Sequence, residues 1–400
     1  MLIVVVNIGS SSFKYQLLSM ENEQQLARGY IERVGTQDAI ITHWIGEEKV
    51  CDEVGPVASH REAVNLCVNF LVNSDNPVID DVSEIDGVGF KTVQAGERNT
   101  STLLTDDVIQ AMEEYADLAP AHNPPYLMAI KMFRELLPGK PLVGVFEPGF
   151  HTQRPEYAMV YGVPYEWYTD YGVQRYGYHG ASHRYVTSET IRLLGLDPQK
   201  HRIVSCHLGG SSSLCAFYNG QSIDTSMGFS PQSGLLQGAR VGDLDPFVLP
   251  FIMRKKGISL EEALEECSRN GGLKGISGIS GDMREIREGI MKGNPRARLA
   301  YEKFIYDIKM YLGGFIVLMG GLDAIAFCGG IGTNDGELRV DVLSSLGFLG
   351  FRLDEKRNEH GERIISAGDS TIKAVVIETN EELVVARQTV TVIQDNDFSA

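Results

Sequence analysis

Two short Gly/Ser-rich stretches hold the residues best suited to chemistry. The first, Asn7-Ile8-Gly9-Ser10-Ser11-Ser12-Phe13-Lys14, follows an apolar run at residues 2–6. The second, His207-Leu208-Gly209-Gly210-Ser211-Ser212-Ser213, follows Ile203-Val204-Ser205-Cys206. Each presents backbone N–H groups and hydroxyls at a tight turn, which makes an anion-binding nest without any helix N-terminus. Two such turns facing each other would clamp phosphates. The first is not a P-loop, because Gly9 to Lys14 lacks the second glycine and the hydroxyl after lysine. No G-x-G-x-x-G follows the first apolar run, which counts against a dinucleotide-binding dehydrogenase. The six cysteines (Cys51, Cys67, Cys206, Cys215, Cys267, Cys328) form no C-x-x-C and have no histidines at zinc spacing. A reduced, cytoplasmic interior explains them better than disulfides or a metal site.

Turns of this kind need strands on both sides, and the flanking sequence provides them twice. Asn7 and His207 hold equivalent places 200 residues apart, each in an apolar run, a Gly/Ser turn and a second, mixed run. That is the signature of a β-hairpin. A further strand is expected in each half, at 25–31 and at 221–225 after Asn219-Gly220. Short β-rich runs at 87–93, 141–146, 324–328 and 372–377 read as buried strands. Helical periodicity runs through 106–116, 125–137, 183–194, 259–269 and 297–319. The sum is an α/β protein with two similar halves. At 400 residues the chain is too long for one core, so two domains are expected. One would take residues 1–149 with 385–400, the other 150–384.

A formal charge of −17 argues against a nucleic-acid or anionic-membrane surface, since both need a basic footprint. An anionic substrate would then need cations concentrated locally. No apolar run approaches the ~20 residues that span a bilayer. The opening run has no basic segment before it and leads straight into the first turn, so it reads as a buried strand and not as a signal peptide.

Further motifs carry a resemblance. Arg175-Tyr176-Gly177-Tyr178-His179-Gly180-Ala181-Ser182-His183-Arg184-Tyr185 and Gly238-Ala239-Arg240-Val241-Gly242-Asp243-Leu244-Asp245-Pro246 join the first turn, Leu118 to Pro125 and Thr379-Asn380-Glu381-Glu382-Leu383. Together, and in this order, they resemble the acetate kinase family from end to end. That family has a duplicated actin-like (ribonuclease H-like) two-domain fold with an ATP cleft between the domains. The resemblance implies reversible, ATP-dependent phosphorylation of a short carboxylate to an acyl phosphate, in the cytoplasm, by a homodimer. It implies Mg2+ or Mn2+ held by Asn7 and Glu381, largely through water, which suits a hard cation that dehydrates reluctantly. Ser10, Ser12 and Lys14 would line one side of the phosphate path. His207, Leu208, Gly209, Gly210 and Ser211 would form the second phosphate loop. Asp282, Met283 and Arg284 would lie beside the nucleotide, and Gly330, Ile331, Gly332, Thr333 and Asn334 would form the adenosine loop. His179 and Arg240 would stabilise the transferring phosphoryl group, whose chemistry needs alignment and charge neutralisation above all. His183 fits helix capping or packing as well as catalysis, and His122 fits bracing of a loop.

The acceptor side departs from the family's pattern. The family's G-H-R-V-V-H-G-G is here Gly89-Phe90-Lys91-Thr92-Val93-Gln94-Ala95-Gly96. Lys91 therefore stands for the arginine that binds the acceptor carboxylate. It keeps the charge and loses the bidentate fork. Glu147 replaces a catalytic aspartate, and Gly210 replaces an asparagine of the second phosphate loop. In the acceptor pocket, Val93 and Pro231 keep the family's residues, Ala121 replaces leucine and Tyr178 replaces phenylalanine. The extra volume fits an acid larger than acetate, with the Tyr178 hydroxyl and Gln94 as polar handles. Two readings stay open: an active kinase with a redirected acceptor, and a catalytically weakened nucleotide-binding paralogue.

Overall fold

The computed structural model describes residues 1–116 and 123–396. The chain divides into two compact units, Met1–Thr152 with Asn380–Ala400, and Gln153–Thr379.

The first unit is built on one sheet. Its strands are β1 (Leu2–Gly9), β2 (Ser12–Ser19), β3 (Gln24–Glu32), β4 (Thr36–Ile45), β5 (Glu48–Val57), β6 (Gly87–Thr92), β7 (Thr102–Leu103) and β8 (Leu142–Phe146). Their order is β5-β4-β3-β2-β1-β6-β8-β7. β1 to β5 form an antiparallel meander, whereas β6 and β8 run parallel to β1. β8 is a continuous buried apolar run and β6 is buried at every position but the half-buried Lys91, as expected of parallel strands covered on both faces. Helices His60–Val72 and Asn123–Leu136 cover one face. The helix Glu381–Asp395 lies against β6, where a side chain at Gly87 or Gly89 would collide with Ile393, Val385 and Thr389.

The second unit carries β9 (Arg202–Leu208), β10 (Ser212–Tyr218), β11 (Gln221–Thr225), β12 (Ala324–Cys328) and β13 (Lys373–Val376), ordered β11-β10-β9-β12-β13. Again the first three strands are antiparallel and the last two run parallel to the first. That is the arrangement of β3-β2-β1-β6-β8, so the fold itself is duplicated. The long helix Pro295–Met319 seals this sheet with Ala300, Phe304, Ile308, Leu312 and Phe315.

Both expected hairpins are present, and their turns differ in length. Gly9 pairs with Ser12 across a two-residue turn, whereas Leu208 pairs with Ser212 across Gly209, Gly210 and Ser211. The expected strands and helices are found within a few residues of their predicted ends. The β4–β5 hairpin and the helices His60–Val72 and Glu381–Asp395 are among the elements that the sequence does not announce. No helix among the described residues is long and apolar enough to cross a membrane.

Candidate active site

In the first unit, the C-terminal ends of β1, β6 and β8 gather one group of polar side chains. Lys91, near the end of β6, places Nζ 3.1 Å from Oε1 of Glu147 and in an ion pair with Oε2 of Glu381. Glu147 follows directly on β8, and Glu381 is the first residue of the helix capped by Asn380. All three side chains are largely buried, with 19%, 8% and 15% exposure. Burial alone would pull the Lys91 ammonium down. Glu147 and then Glu381 outweigh it and hold it well above the ordinary lysine value.

Tyr126 ties this group to the first turn. Its hydroxyl accepts from Ile8 N (2.9 Å) and donates to Asn7 Oδ1 (3.4 Å). Burial keeps the phenol well above its usual pKa, so it remains a donor. Asn7 faces Lys14 across the hairpin, and Lys14 in turn lies over the Tyr30 ring at 5.3 Å. Ser10 is exposed and Ser12 half-buried in the turn, while His60 Nε2 braces Gly9 O at 3.0 Å. Asn7 and Glu381 offer oxygen donors, the chemistry a hard divalent cation prefers. No group of three or more His, Cys, Asp or Glu able to hold an ion occurs among the described residues. A cation there would keep much of its water or take oxygens from a substrate, which is how Mg2+ commonly binds.

Gln94 corrects an expectation. It is fully buried, and its Oε1 accepts from Gly96 N at 2.9 Å and from Asn99 Nδ2. It braces its own loop, so that oxygen is no handle for a ligand. Val93 is half-buried just beyond β6. Ala121 and His122 lie outside the described residues.

The second unit gathers its own group around the β9–β10 turn. His179 Nδ1 and His183 Nε2 each lie 2.8 Å from Ser213 Oγ, and His183 Nδ1 lies 2.9 Å from Ser205 Oγ. His207 Nδ1 is hydrogen-bonded to Ser182 Oγ at 2.7 Å. His183 is therefore buried between two serines, inside the helix Gly180–Leu194 and not at its cap. His179 itself caps the helix Gly180–Leu194 with a left-handed backbone, φ +58°. That is an unusual conformation for any residue but glycine, of the kind that clusters at functional sites.

Arg240 sits on the same turn. Its guanidinium donates to Ser211 Oγ (3.0 Å), Gln237 Oε1 (3.2 Å) and Pro231 O (3.4 Å). Burial lowers its pKa somewhat, though an arginine stays charged regardless. Tyr178 is buried, and its hydroxyl donates to Phe229 O at 2.7 Å. Toward a ligand that hydroxyl can only accept, which qualifies its expected use as a polar handle.

Glycines let three segments meet beneath the turn. Gly238 N donates to Gly210 O at 2.9 Å, and a Cβ on Gly238 would lie 3.0 Å from Gly281 O. A Cβ on Gly281 would lie 2.6 Å from Gly238 O. This contact brings Asp282, Met283 and Arg284 beside the loop. Met283 and Leu208 are core residues, so only their backbones can serve a ligand. Asp282 caps the next helix and pairs with Arg284 at 2.6 Å, which holds its carboxyl near pKa 2. Gly330 to Asn334 belong to a short helix directly after β12. The tight glycine there is Gly329, whose Cβ would meet Leu208 O at 2.6 Å, while one on Gly332 would find ordinary contacts at 3.5–3.6 Å.

Reading motifs alone misses Tyr126, Ser182, Ser213 and Gln237 as supports. Ser182 and Ser213 stand inside the motifs, whereas nothing in the local sequence marks Tyr126 or Gln237.

A model of the acetokinase family matches residues 2–387. Acetate kinase of Thermosipho melanesiensis is 45% identical over 399 residues, 98% of each chain. The crystal structure of Porphyromonas gingivalis acetate kinase has a TM-score of 0.89 at 38% identity, covering 98% of this chain and 99% of that one. A propionate kinase structure from Francisella tularensis reaches 0.90 at 33% identity, covering 98% and 100%. A duplicated actin-like α/β fold with these motifs defines an ATP-using phosphotransferase whose acceptor is a carboxyl group. The chain belongs to the acetokinase family.

Proposed function

We propose that this chain reversibly converts a short carboxylate and ATP into an acyl phosphate and ADP, with an acceptor larger than acetate. The observation that carries this reading is Arg240 seated on Ser211 of the second Gly/Ser turn, with His179 anchored to Ser213 beside it. A fixed guanidinium and a fixed imidazole suit neutralisation of charge on a transferring phosphoryl group. Gly209, Gly210 and Ser211, with Ser10, Ser12 and Lys14 of the first turn, are assigned to the phosphates. Asp282 to Arg284 and Gly330 to Asn334 are assigned to the nucleoside end. Lys91, Val93, Ala121, Tyr178 and Pro231 are assigned to the acceptor, with Glu147 as the acid beside it. Asn7 and Glu381 are assigned to Mg2+ or Mn2+, which when bound neutralises charge on the phosphate oxygens.

The two compact units are proposed to be the two domains of the fold, and six cysteines that all remain thiols fit a reducing cytoplasm. A homodimer fits one face of the helix Pro295–Met319. Leu299, Tyr306, Met310 and Val317 are 56%, 58%, 59% and 79% exposed there, and a Cβ on Gly313 between them would meet nothing within 4 Å. Their spacing of alternating threes and fours, completed by Lys303, suits packing against another helix. Sedimentation of Met310→Glu tests this: a monomer is expected, and an unchanged dimer rejects the face.

The activity is tested with Mg-ATP, hydroxylamine and a panel of acetate, propionate, butyrate, hydroxy acids and dicarboxylic acids. An acyl hydroxamate from a bulkier acid in preference to acetate is expected. Acetate as the best substrate rejects the enlarged pocket, and no hydroxamate from any acid rejects the kinase reading. One observation favours a second reading, a weakened paralogue: the acceptor cation Lys91 is already held by two carboxylates. Nucleotide binding without turnover would decide for it.

A further inference from the structure

Building on that reading, we propose that Lys91 is shared between Glu381 and the acceptor, so that a divalent cation on Glu381 releases Lys91 to the acceptor carboxylate and the two ligands strengthen each other's binding.

Lys91 carries one positive charge against the negative charges of Glu147 and Glu381, both largely buried and both ion-paired to it. Those three side chains sum to −1 before any ligand arrives. A carboxylate entering beside Lys91 would make it −2. Like charges held close together in a largely buried site repel more strongly than they would in water. Acceptor binding to this arrangement is disfavoured as it stands. A divalent cation changes the sum to +1, and the acceptor then brings it to zero.

The geometry also says which carboxylate gives way. Glu147 has 8% exposure and is fixed in the turn directly after β8. Glu381 has 15% exposure and begins a helix of 15 residues. The backbone amides of that first turn favour a carboxylate whether or not Lys91 touches it. Glu381 can thus exchange lysine for a metal at small cost. Lysine suits the exchange, since a compact charge on a flexible stem changes partners more readily than a guanidinium fork.

The test uses Mn2+ as probe, with its affinity read by water-proton relaxation on the full chain without nucleotide. Saturating acetate, propionate or butyrate should tighten Mn2+ binding about five-fold or more in the native protein, the usual size of a coupling between sites. In Lys91→Met, Mn2+ alone should bind more tightly, because nothing competes for Glu381, and the acids should add nothing. That variant leaves two carboxylates facing each other, so Glu381→Gln supplies a second arm. Its binding of the same acids, followed by saturation-transfer NMR, should no longer need metal. An Mn2+ affinity that none of the three acids changes, absence of binding included, overturns the proposal. So does coupling that persists in Lys91→Met, or acid binding by Glu381→Gln that still requires metal. Hydroxamate formed without such coupling rejects the shared lysine and leaves the kinase reading standing, whereas absence of hydroxamate removes the kinase reading itself.

Discussion

The imidazole rings of His179 and His207 lie face to face, with centroids 4.2 Å apart and planes inclined by 24°. Each ring is anchored through Nδ1, His179 to Ser213 and His207 to Ser182. The stack is therefore oriented by two serines, one from the strand after the turn and one from the helix that follows His179. Ser213 also touches His183, so its hydroxyl fixes two rings at once. Ser213→Ala removes a buried partner from both, at a cost of about 1–3 kcal/mol in stability. If His179 acts on the transferring phosphoryl group as proposed, the expected kinetic result is a kcat about 10- to 100-fold lower with the KM for ATP unchanged. An unchanged kcat, or a rise in KM alone, rejects the positioning role.

His179 stores strain as well as carrying its ring. At φ +58° an asparagine sits more comfortably than a histidine, and it keeps a polar side chain of shorter reach. His179→Asn should leave urea-induced unfolding unchanged or improved by up to about 1 kcal/mol. Its kcat should fall about 100-fold or more, as for loss of one preorganised donor. A variant both less stable and less active would show that the ring mainly holds the fold.

Much of this is legible in the sequence because it is local. The hairpins around Gly9 to Ser12 and Gly209 to Ser211 announce themselves by composition, and the duplicated order of strands follows from seeing them twice. The triad of Lys91, Glu147 and Glu381 is not legible as a triad. Its members stand 56 and 234 residues apart in sequence, and only the parallel pairing of β6 with β8 and the return of the C-terminal helix bring them together. Gln94 misleads for the opposite reason. Its side chain is polar and beside the acceptor residues, but loop closure with Gly96 and Asn99 takes its oxygen.

Gly210 and Gly238 should respond oppositely to added side chains. A Cβ on Gly210 meets nothing within 4 Å, whereas one on Gly238 lies 3.1 Å from Gly210 O and 3.0 Å from Gly281 O. Gly210→Asn, which restores the side chain usual in the family, should fold normally and lower the KM for ATP several-fold. Gly238→Ala should separate the turn from the Asp282 segment and destabilise the second unit by about 1–3 kcal/mol, with ATP binding weakened. ATP titration and thermal melts of both variants check this. Equal effects at the two sites would mean that backbone packing beneath the turn does not shape the nucleotide site.

The first unit should also lose stability on mild acidification through His43. Its ring is buried between Tyr15 and Phe70, and burial lowers its pKa from 6.5 to about 4. Between those values the unfolded chain binds a proton that the folded chain refuses. Stability from this group is therefore complete above pH 6.5 and falls as pH drops toward 4, by on the order of 2–3 kcal/mol. Trp44 lies in the first unit and the only other tryptophan, Trp167, in the second. Urea unfolding followed by fluorescence in a Trp167→Phe background thus isolates the effect. His43→Gln should flatten the slope between pH 4 and 6.5, and an unchanged slope assigns it to carboxylates instead.

Lys91 and Glu147 should prove to be one compensated pair. The family's arginine is longer and forked, and its aspartate is shorter by a methylene. Here the shorter cation meets the longer acid at 3.1 Å. Lys91→Arg alone pushes a guanidinium into Glu147, and Glu147→Asp alone withdraws a buried counterion from Lys91. Each single change should lower kcat/KM for acetate about 10-fold, whereas the double change should raise it above the starting enzyme. That corresponds to a coupling energy within the roughly 0.5–3 kcal/mol found for residues in contact. Acetate kinetics of the four proteins, with melting temperatures to confirm folding, complete the cycle. If either single change raises acetate use as far as the double does, the two positions act independently and the acceptor preference lies in the pocket wall instead.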